Sequence, residues 1–420
     1  MATVLQEKLD PKRWLSLIAV SLGVFMALID TTVVNVALPS IQTSLNASYS
    51  DLQWVISAYT IVFSVLLLIW AKLGDLYGRK LMFIVGLVIF TIGSGLDAVS
   101  TSISMLHIFR AVQAIGGSAL MSLSFALIGT TFNGKERGMA LGILSSIIGL
   151  STASGPLVGG WLVDTFSWQS IFTINLPIGI ITIIMASLFI SNHQAHHATG
   201  SVDYLGMLLS TGTIFSLVFG LVQKEMNASW GWDKLQVAGY LIMAVILFIL
   251  FIWRQRTAKN PMMDLSMFKS SSFTGAVLVA FFLGAGLYGF FAYLSTFMQN
   301  YVGYSAWDTG LRQATISGFS LVLGPIAGIL TNRLRHGYML ATSALFIGVG
   351  LFTLSALTTT TATFADFWPA FIIIGIGNGS INPPMTTAAM SSVAPRQMGM
   401  ASGMISTSVS YTHLTLPTKA

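Results

Sequence analysis

The chain is 420 residues long, 54% hydrophobic and only 8% charged, with a net charge of +6 and no cysteine. Soluble domains carry about 25% charged residues, so this composition excludes a water-soluble globule. The Lys and Arg are spread between apolar runs, which excludes a basic nucleic-acid face, and the missing cysteines exclude disulfides, thiolate metal sites and cysteine nucleophiles together.

Apolar runs of about 20 residues, each long enough to cross a hydrocarbon layer of roughly 30 Å, recur along the chain without the alternation of a membrane barrel. The polar breaks predict an all-α, polytopic membrane protein with helices over 14–38, 52–73, 81–99, 103–131, 139–163, 170–190, 204–222, 236–253, 273–298, 306–330, 338–358 and 364–390, and a further one from near 399. The first run is too long for a cleaved signal and carries Asp30 and Asn35 near its far end, so it reads as a retained helix. Lys8, Lys12 and Arg13, then Lys72, Arg79 and Lys80, then Lys135 and Arg137, then Arg254, Arg256, Lys259 and Lys269, then Arg333 and Arg335, then Arg396 fall in alternate loops; the opposite loops hold only Lys224 and Lys234. Basic residues in short loops stay on the cytoplasmic side, which predicts a multi-pass protein of the inner (cytoplasmic) membrane with its N-terminus inside.

Three segments recur about 260 residues later in the same chain direction, as in parallel repeats related by an axis along the membrane normal. Glu136 to Ser146 returns as Gln397 to Thr407, Ala114 to Gly117 as Gly375 to Asn378, and Ala71 to Lys80 as a degraded Gly328 to His336. The implied plan is a six-helix half over 1–195, two inserted linker helices over 196–260 and a second, incomplete half over 261–410. Residues 411–420, polar and broken by Pro417, match nothing in the first half and are expected to be a foreign or frame-shifted tail, a natural short tail being the other reading.

An ionisable side chain inside a bilayer is a functional candidate, because burying its charge costs several kcal/mol unless it is paired or hydrated. Asp30 lies seventeen residues above Arg13, about 25 Å up its helix, and the fourth helix reaches Arg110 after about 10 Å of descent. Both fall in the outer half of the hydrocarbon layer, where they either pair across the bundle or each face a water-filled cavity. Asp30 is expected to bind a proton or a cation, tuned by Arg110; an ion pair that only fixes helix register accounts for the same residues. Asn35 and Gln113, one turn further along each helix, and Trp54 and Tyr59 on the second helix are the polar candidates for the cavity.

The loop Leu73 to Lys80 combines Gly74 and Gly78, suited to close approach and a tight turn, with Asp75, Arg79 and Lys80. It reads as a cytoplasmic latch whose contacts bias a conformational equilibrium, with Arg137 in the next inner loop as the partner expected for Asp75. In the fifth helix, Gly149, Gly155, Gly159 and Gly160 flank Pro156; the proline predicts a kink and the small residues close helix packing. Gly284 to Gly289 fits a dinucleotide pattern but lies within an apolar helix, His193, His196 and His197 lack supporting metal ligands, and Asn46-Ala-Ser48 and Asn227-Ala-Ser229 are sequons by pattern alone. There is no P-loop for nucleotide-driven pumping and no nucleophile–base set for an enzyme.

Together these residues resemble the major facilitator superfamily. Lys72 to Lys80 looks like its motif A, with Ala71 in place of the usual first glycine. Arg110-Ala-Val-Gln-Ala-Ile-Gly-Gly117 looks like motif B, the proton-coupling motif, with Ala114 for a customary glycine, and Gly149 to Gly160 resembles the antiporter motif C. Leu28-Ile-Asp-Thr-Thr-Val-Val-Asn-Val-Ala-Leu-Pro39 and Trp168-Gln-Ser-Ile-Phe-Thr-Ile-Asn-Leu-Pro-Ile-Gly179 are similar to signatures of the fourteen-helix drug:proton antiporter branch, the EmrB/QacA type. The resemblance implies a multidrug exporter that exchanges amphipathic, cationic organic compounds for protons. Asp30 and Arg110 would serve coupling, Asp75 and Arg79 the inner gate, and Gly155 and Pro156 the antiporter kink. It implies no cofactor, the proton gradient being the energy source; the partners are substrate, protons and the lipid bilayer, and the residues are silent on a periplasmic adaptor. An uptake symporter or metabolite exporter on the same scaffold, or a membrane sensor that binds without transporting, remain the alternatives.

Overall fold

A computed structural model describes residues 11–132, 134–191, 203–227, 229–259, 263–288, 306–358 and 364–393, together with isolated positions at 261, between 290 and 304 and between 397 and 405. The helices follow the predicted order: α1 (Arg13–Leu45), α2 (Tyr49–Tyr77), α3 (Arg79–Ala98), α4 (Ile103–Thr131), α5 (Gly134–Thr165), α6 (Ser170–Thr173), α7 (Asn175–Phe189), α8 (Tyr204–Met226), α9 (Leu235–Thr257), α10 (Ser271–Leu283), α11 (Ala306–Leu330), α12 (His336–Leu357) and α13 (Phe364–Ser391). Among the described residues, nine helices are long and apolar enough to cross a membrane. Large apolar side chains lie exposed along them, such as Ile242, Val245, Ile249 and Trp253 on α9, an arrangement that only a lipid solvent stabilises.

Several boundaries differ from expectation for local reasons. α1 continues past Pro39 to Leu45 and ends on Asn46 in the left-handed region (φ 50), where Asn is tolerated; Ser48 then opens α2 with a reciprocal capping box to Asp51. The first sequon is thus a helix–helix junction. The predicted helix 170–190 is two pieces, α6 and α7, because Pro177 has no N–H for the Thr173 carbonyl four residues back. The dinucleotide look-alike is a π-helical turn over Gly284–Tyr288 that follows α10. Gly78, at φ +99, joins α2 directly to α3, a conformation that a residue with a Cβ rarely adopts. The histidines at 193, 196 and 197, Arg396, the tail 411–420 and the side chain of Pro156 lie outside the described residues; α5 itself runs unbroken through position 156.

α1 packs on α5 and α7, α3 on α4, α2 on α4 and α8, α8 on α9, and α12 on α13, while α5 crosses α11, which in turn packs on α13. The α5–α11 crossing is built from glycine. A Cβ on Gly142 would come within 2.8 Å of the Gly324 carbonyl carbon and 2.9 Å of Pro325 Cα, and Gly138 faces the Gly328 carbonyl in the same way. Ser146 Oγ donates to the Ser320 carbonyl at 2.5 Å. The repeat-related contact sets Gly403 against α2, where an added Cβ would lie 2.7 Å from Ala71 Cβ; the alanine in place of a glycine at 71 is accommodated by the glycine opposite. Further ties close this end of the bundle, which carries the start of α1: Arg13 to Glu136 at 2.7 Å, Lys72 Nζ to the Pro261 carbonyl at 3.3 Å and Gln397 to Asp264 at 2.7 Å.

Gly142→Val is therefore expected to part the two helices. Overpacking costs about 1–3 kcal/mol, and even the lower figure is about a fivefold change in a two-state equilibrium. The chain has no cysteine, so a pair introduced at Gly149 and Ser320, whose Cβ atoms would be 3.0 Å apart, reports the crossing directly. Its crosslinking rate should fall at least about fivefold in the valine background; an unchanged rate would show that the crossing tolerates the side chain.

Candidate functional site

Asp30 is the centre of a buried polar cluster in the first half of the bundle. Its Oδ2 accepts from Arg110 Nη1 at 2.5 Å; its Oδ1 accepts from Gln113 Nε2 at 2.8 Å and from Asn175 Nδ2 at 3.2 Å. Arg110 and Gln113 are three residues apart on α4 and so share a face, and Arg110 Nη1 also donates to Gln113 Oε1. Ser94 on α3 accepts from Gln113 at 3.0 Å and Asn175 at 2.9 Å and donates to the Phe172 carbonyl at 3.2 Å. The Arg110 guanidinium carbon lies over the Tyr59 ring, 4.3 Å from its centroid, and 5.6 Å from the Phe172 centroid, where ring quadrupoles favour a cation. Of the two arrangements left open by the sequence, the structure has the pair.

Glycines make room for the cluster. A Cβ at Gly93 would sit 2.6 Å from Gln113 Cα, one at Gly116 2.7 Å from Phe90 Cα, and one at Gly117 3.3 Å from Tyr59 Cζ. The first two draw α3 onto α4 so that Ser94 meets Gln113; the third lets the phenol lie over the arginine. Asn175 is the first residue of α7, so its helix also aims its positive end toward the Asp30 carboxylate.

Two expected members lie elsewhere. Asn35 is exposed and donates to its own helix at the Thr31 carbonyl, 3.3 Å away. Trp54 packs against Phe219 of α8, centroids 5.9 Å apart. Three residues enter that the sequence reading passed over: Ser94, Asn175 and Asp97. Asp97 is fully buried on α3 and interacts electrostatically with Arg110 and Asp30. The signal for Asn175 was already present in the Trp168–Gly179 motif.

At the basic end, Arg79 Nη2 holds Asp75 Oδ1 at 2.8 Å, and Asp75 also accepts from the backbone amide of Met400 in the second half. This replaces the expected Arg137 partner; Arg137 Nε donates to the Phe132 carbonyl at 2.9 Å. Lys80 Nζ donates to the Ser187 carbonyl at 2.7 Å, and Gly74 packs on the Leu123 side chain. The glycines around position 156 serve two crossings. A Cβ on Gly155 would meet the Thr32 carbonyl carbon at 3.2 Å and one on Gly159 Val33 at 3.2 Å, just beyond Asp30 on α1, whereas Gly149 faces Ser320 of α11 and Gly160 faces open space.

A sequence profile described as Major Facilitator Superfamily matches residues 20–412. The chain belongs to the Major Facilitator Superfamily. It is 31% identical to the tetracenomycin C resistance and export protein of Streptomyces glaucescens, over 93% of this chain and 72% of that protein. It is 30% identical to the multidrug transporter protein MdtP of Bacillus subtilis strain 168, over 94% and 72% respectively. Its fold matches the crystal structure of the human organic anion transporter MFSD10 with a TM-score of 0.68 at 14% identity, covering 97% of this chain and 93% of that one. It is an integral membrane transporter of this superfamily, with the all-helical fold of its members. Within it the repeat keeps the packing and drops the charge. Gly350 meets Ile374, and Gly377 meets Ile347, across α12 and α13, as Gly93 and Gly116 meet Gln113 and Phe90 across α3 and α4; yet Phe371 stands where the repeat would place Arg110.

Asn175→Ala removes a donor to Asp30 and one to Ser94. Hydrogen bonds to charged groups contribute about 1.5–3 kcal/mol, so the purified variant should unfold at a lower temperature than the parent. An unchanged midpoint would mean that the 3.2 Å contact contributes nothing.

Proposed function

We propose that this chain is a proton-coupled exporter of the fourteen-helix drug:proton antiporter branch, the EmrB/QacA type, moving amphipathic, cationic organic compounds out across the cytoplasmic membrane, with its N-terminus inside. The observation that carries the proposal is the fully buried Asp30–Arg110 pair. A buried ion pair can be replaced by apolar residues with little loss, or even a gain, of stability. Its place in the bundle is better explained by what it does when it opens: a carboxylate at that depth can exchange Arg110 for a proton or a cationic cargo. Export of tetracenomycin and multidrug transport, named for two relatives, fit the same class of cargo.

In this reading residues 1–195 and 261–410 are the two halves that rock about the cargo, and 196–260 links them. The Asp75–Arg79–Met400 contacts latch the cytoplasmic end, and the α5 glycines let α1 and α11 slide past it. The proton gradient supplies the energy and no cofactor takes part.

The test is direction. In inverted membrane vesicles with an imposed acid interior, ethidium should accumulate inside, and the accumulation should collapse when the pH gradient is discharged. Ethidium uptake into right-side-out vesicles driven by an acid exterior would instead make the chain a symporter, and ethidium binding without counterflow would make it a sensor.

A further inference from the structure

α3 ends beside a second buried acid that the Asp30 pairing does not use. Asp97 is fully buried, yet neither of its carboxylate oxygens has a hydrogen-bond partner among the described residues. The groups acting on it are Arg110 from α4, Asp30 from α1 and Tyr59 from α2. α6 and α7, also packed on α3, contribute no titratable side chain, and His107 of α4 is engaged with the Asp51 carbonyl at 2.8 Å. Arg110, for its part, shares Nη1 between Asp30 and Gln113 and leaves Nε without a hydrogen-bond partner among the described residues.

A carboxylate without a donor or a direct counter-ion is too costly to keep charged in an interior. We propose that Asp97 is a second proton-binding site of this transporter, alternating with Asp30 for the single guanidinium of Arg110. In the conformation described, Asp30 is the anion held by Arg110 and Asp97 carries a proton. When the bundle opens to the cytoplasmic side and the guanidinium turns toward α3, the Asp97 O–H bond breaks, the proton passes to water on that side, and the new carboxylate pairs with Arg110. Asp30, now released, takes up a proton or binds the cationic cargo. The cluster is neutral in both arrangements, so the exchange leaves no net charge in the interior. The way in for the proton, from the outer side, is short. Asp97 lies next to the last residue of α3, and the turn that follows exposes Val99, Thr101 and Ser102 at the end of the bundle opposite the basic loops.

The coupling part of this proposal rests on the exporter reading; the site itself does not, and two measurements separate them. Infrared difference spectra of the purified full chain in lipid nanodiscs, between acid and alkaline pH, should contain a protonated-carboxyl C=O band that persists at neutral pH. Asp97→Asn should remove that band, Asp97→Glu should displace it, and Asp30→Asn, which frees Arg110 to pair with Asp97, should abolish it at neutral pH. A band unmoved in the Asp97 variants overturns the site, and the glutamate variant, which keeps the carboxyl group, carries the measurement if the asparagine variant aggregates. In proteoliposomes, the protons exchanged per ethidium should fall toward zero in Asp97→Asn, because each arrangement of the cluster holds at most one proton and Arg110 then has no second carboxylate to turn to. An unchanged ratio overturns the coupling. A parent protein that exchanges no protons for ethidium refutes the exporter reading by itself, while the infrared band still decides Asp97.

Discussion

Asp30→Asn is expected to lower proton-driven ethidium efflux at least about a hundredfold while the protein still reaches the membrane. The amide preserves the shape of the side chain, so the Gln113 and Asn175 contacts at 2.8 and 3.2 Å can partly re-form. It cannot bind a proton or a cation, and it takes from Arg110 the counter-ion that holds it in this conformation. Removing one partner of a buried pair costs about 3–5 kcal/mol, so the variant should also unfold at a lower temperature. The decisive comparison is the double variant Asp30→Asn/Arg110→Gln. Two neutral amides restore balance in the cluster, so stability should recover toward that of the parent, by more than the singles would predict if their effects added. Efflux should not recover. Were the pair only a device for fixing helix register, the double variant would transport as well as it folds, and that outcome would remove Asp30 from the mechanism.

The sequence disclosed the charged part of this site and missed its neutral part, for reasons that lie in the residues. Asp30 and Arg110 stand out because a charge within an apolar run is costly unless compensated, and Gln113 follows from its position three residues after Arg110, on the same face. Asn35 was grouped with them as though one turn from Asp30. Five residues actually carry it about 140° around the helix, which is why it is exposed. Ser94 gave little signal, since small polar residues are common packing elements of membrane helices, and Asn175, though inside the Trp168–Gly179 motif, showed no partner; both roles arise only where α3, α4 and α7 converge. Asp97 was hidden by its place at the end of a predicted helix, where an acid reads as a loop residue. The helix order was readable from apolar length alone, while the break at Ile174, the run of α1 beyond Pro39 and the grip of Met400 on Asp75 depended on backbone hydrogen bonding and tertiary contact.

Arg110→Lys is the sharper probe of how the cluster couples, because it keeps the charge and removes the geometry. The guanidinium meets Asp30 and Gln113 through one nitrogen, and its carbon lies over the Tyr59 ring, 4.3 Å from the centroid. An ammonium is a compact point charge that cannot meet the two acceptors and at the same time spread its charge over the tyrosine ring. Lysine should therefore hold the fold better than Arg110→Ala, which strands the Asp30 carboxylate among neutral donors, but it should not restore coupling. The expected result is that both variants lose at least about tenfold of their pH-gradient-driven efflux, a difference of about 1.4 kcal/mol or more in the coupled step, while only alanine shows a large fall in thermal stability. Downhill ethidium movement without a proton gradient should persist in the lysine variant and become insensitive to external pH, since cargo can still reach Asp30 but no directed guanidinium links its arrival to proton release. A lysine variant with the parent's proton:ethidium ratio would mean that positive charge alone suffices, and the contact of the guanidinium with Tyr59 would then have to be assigned to packing.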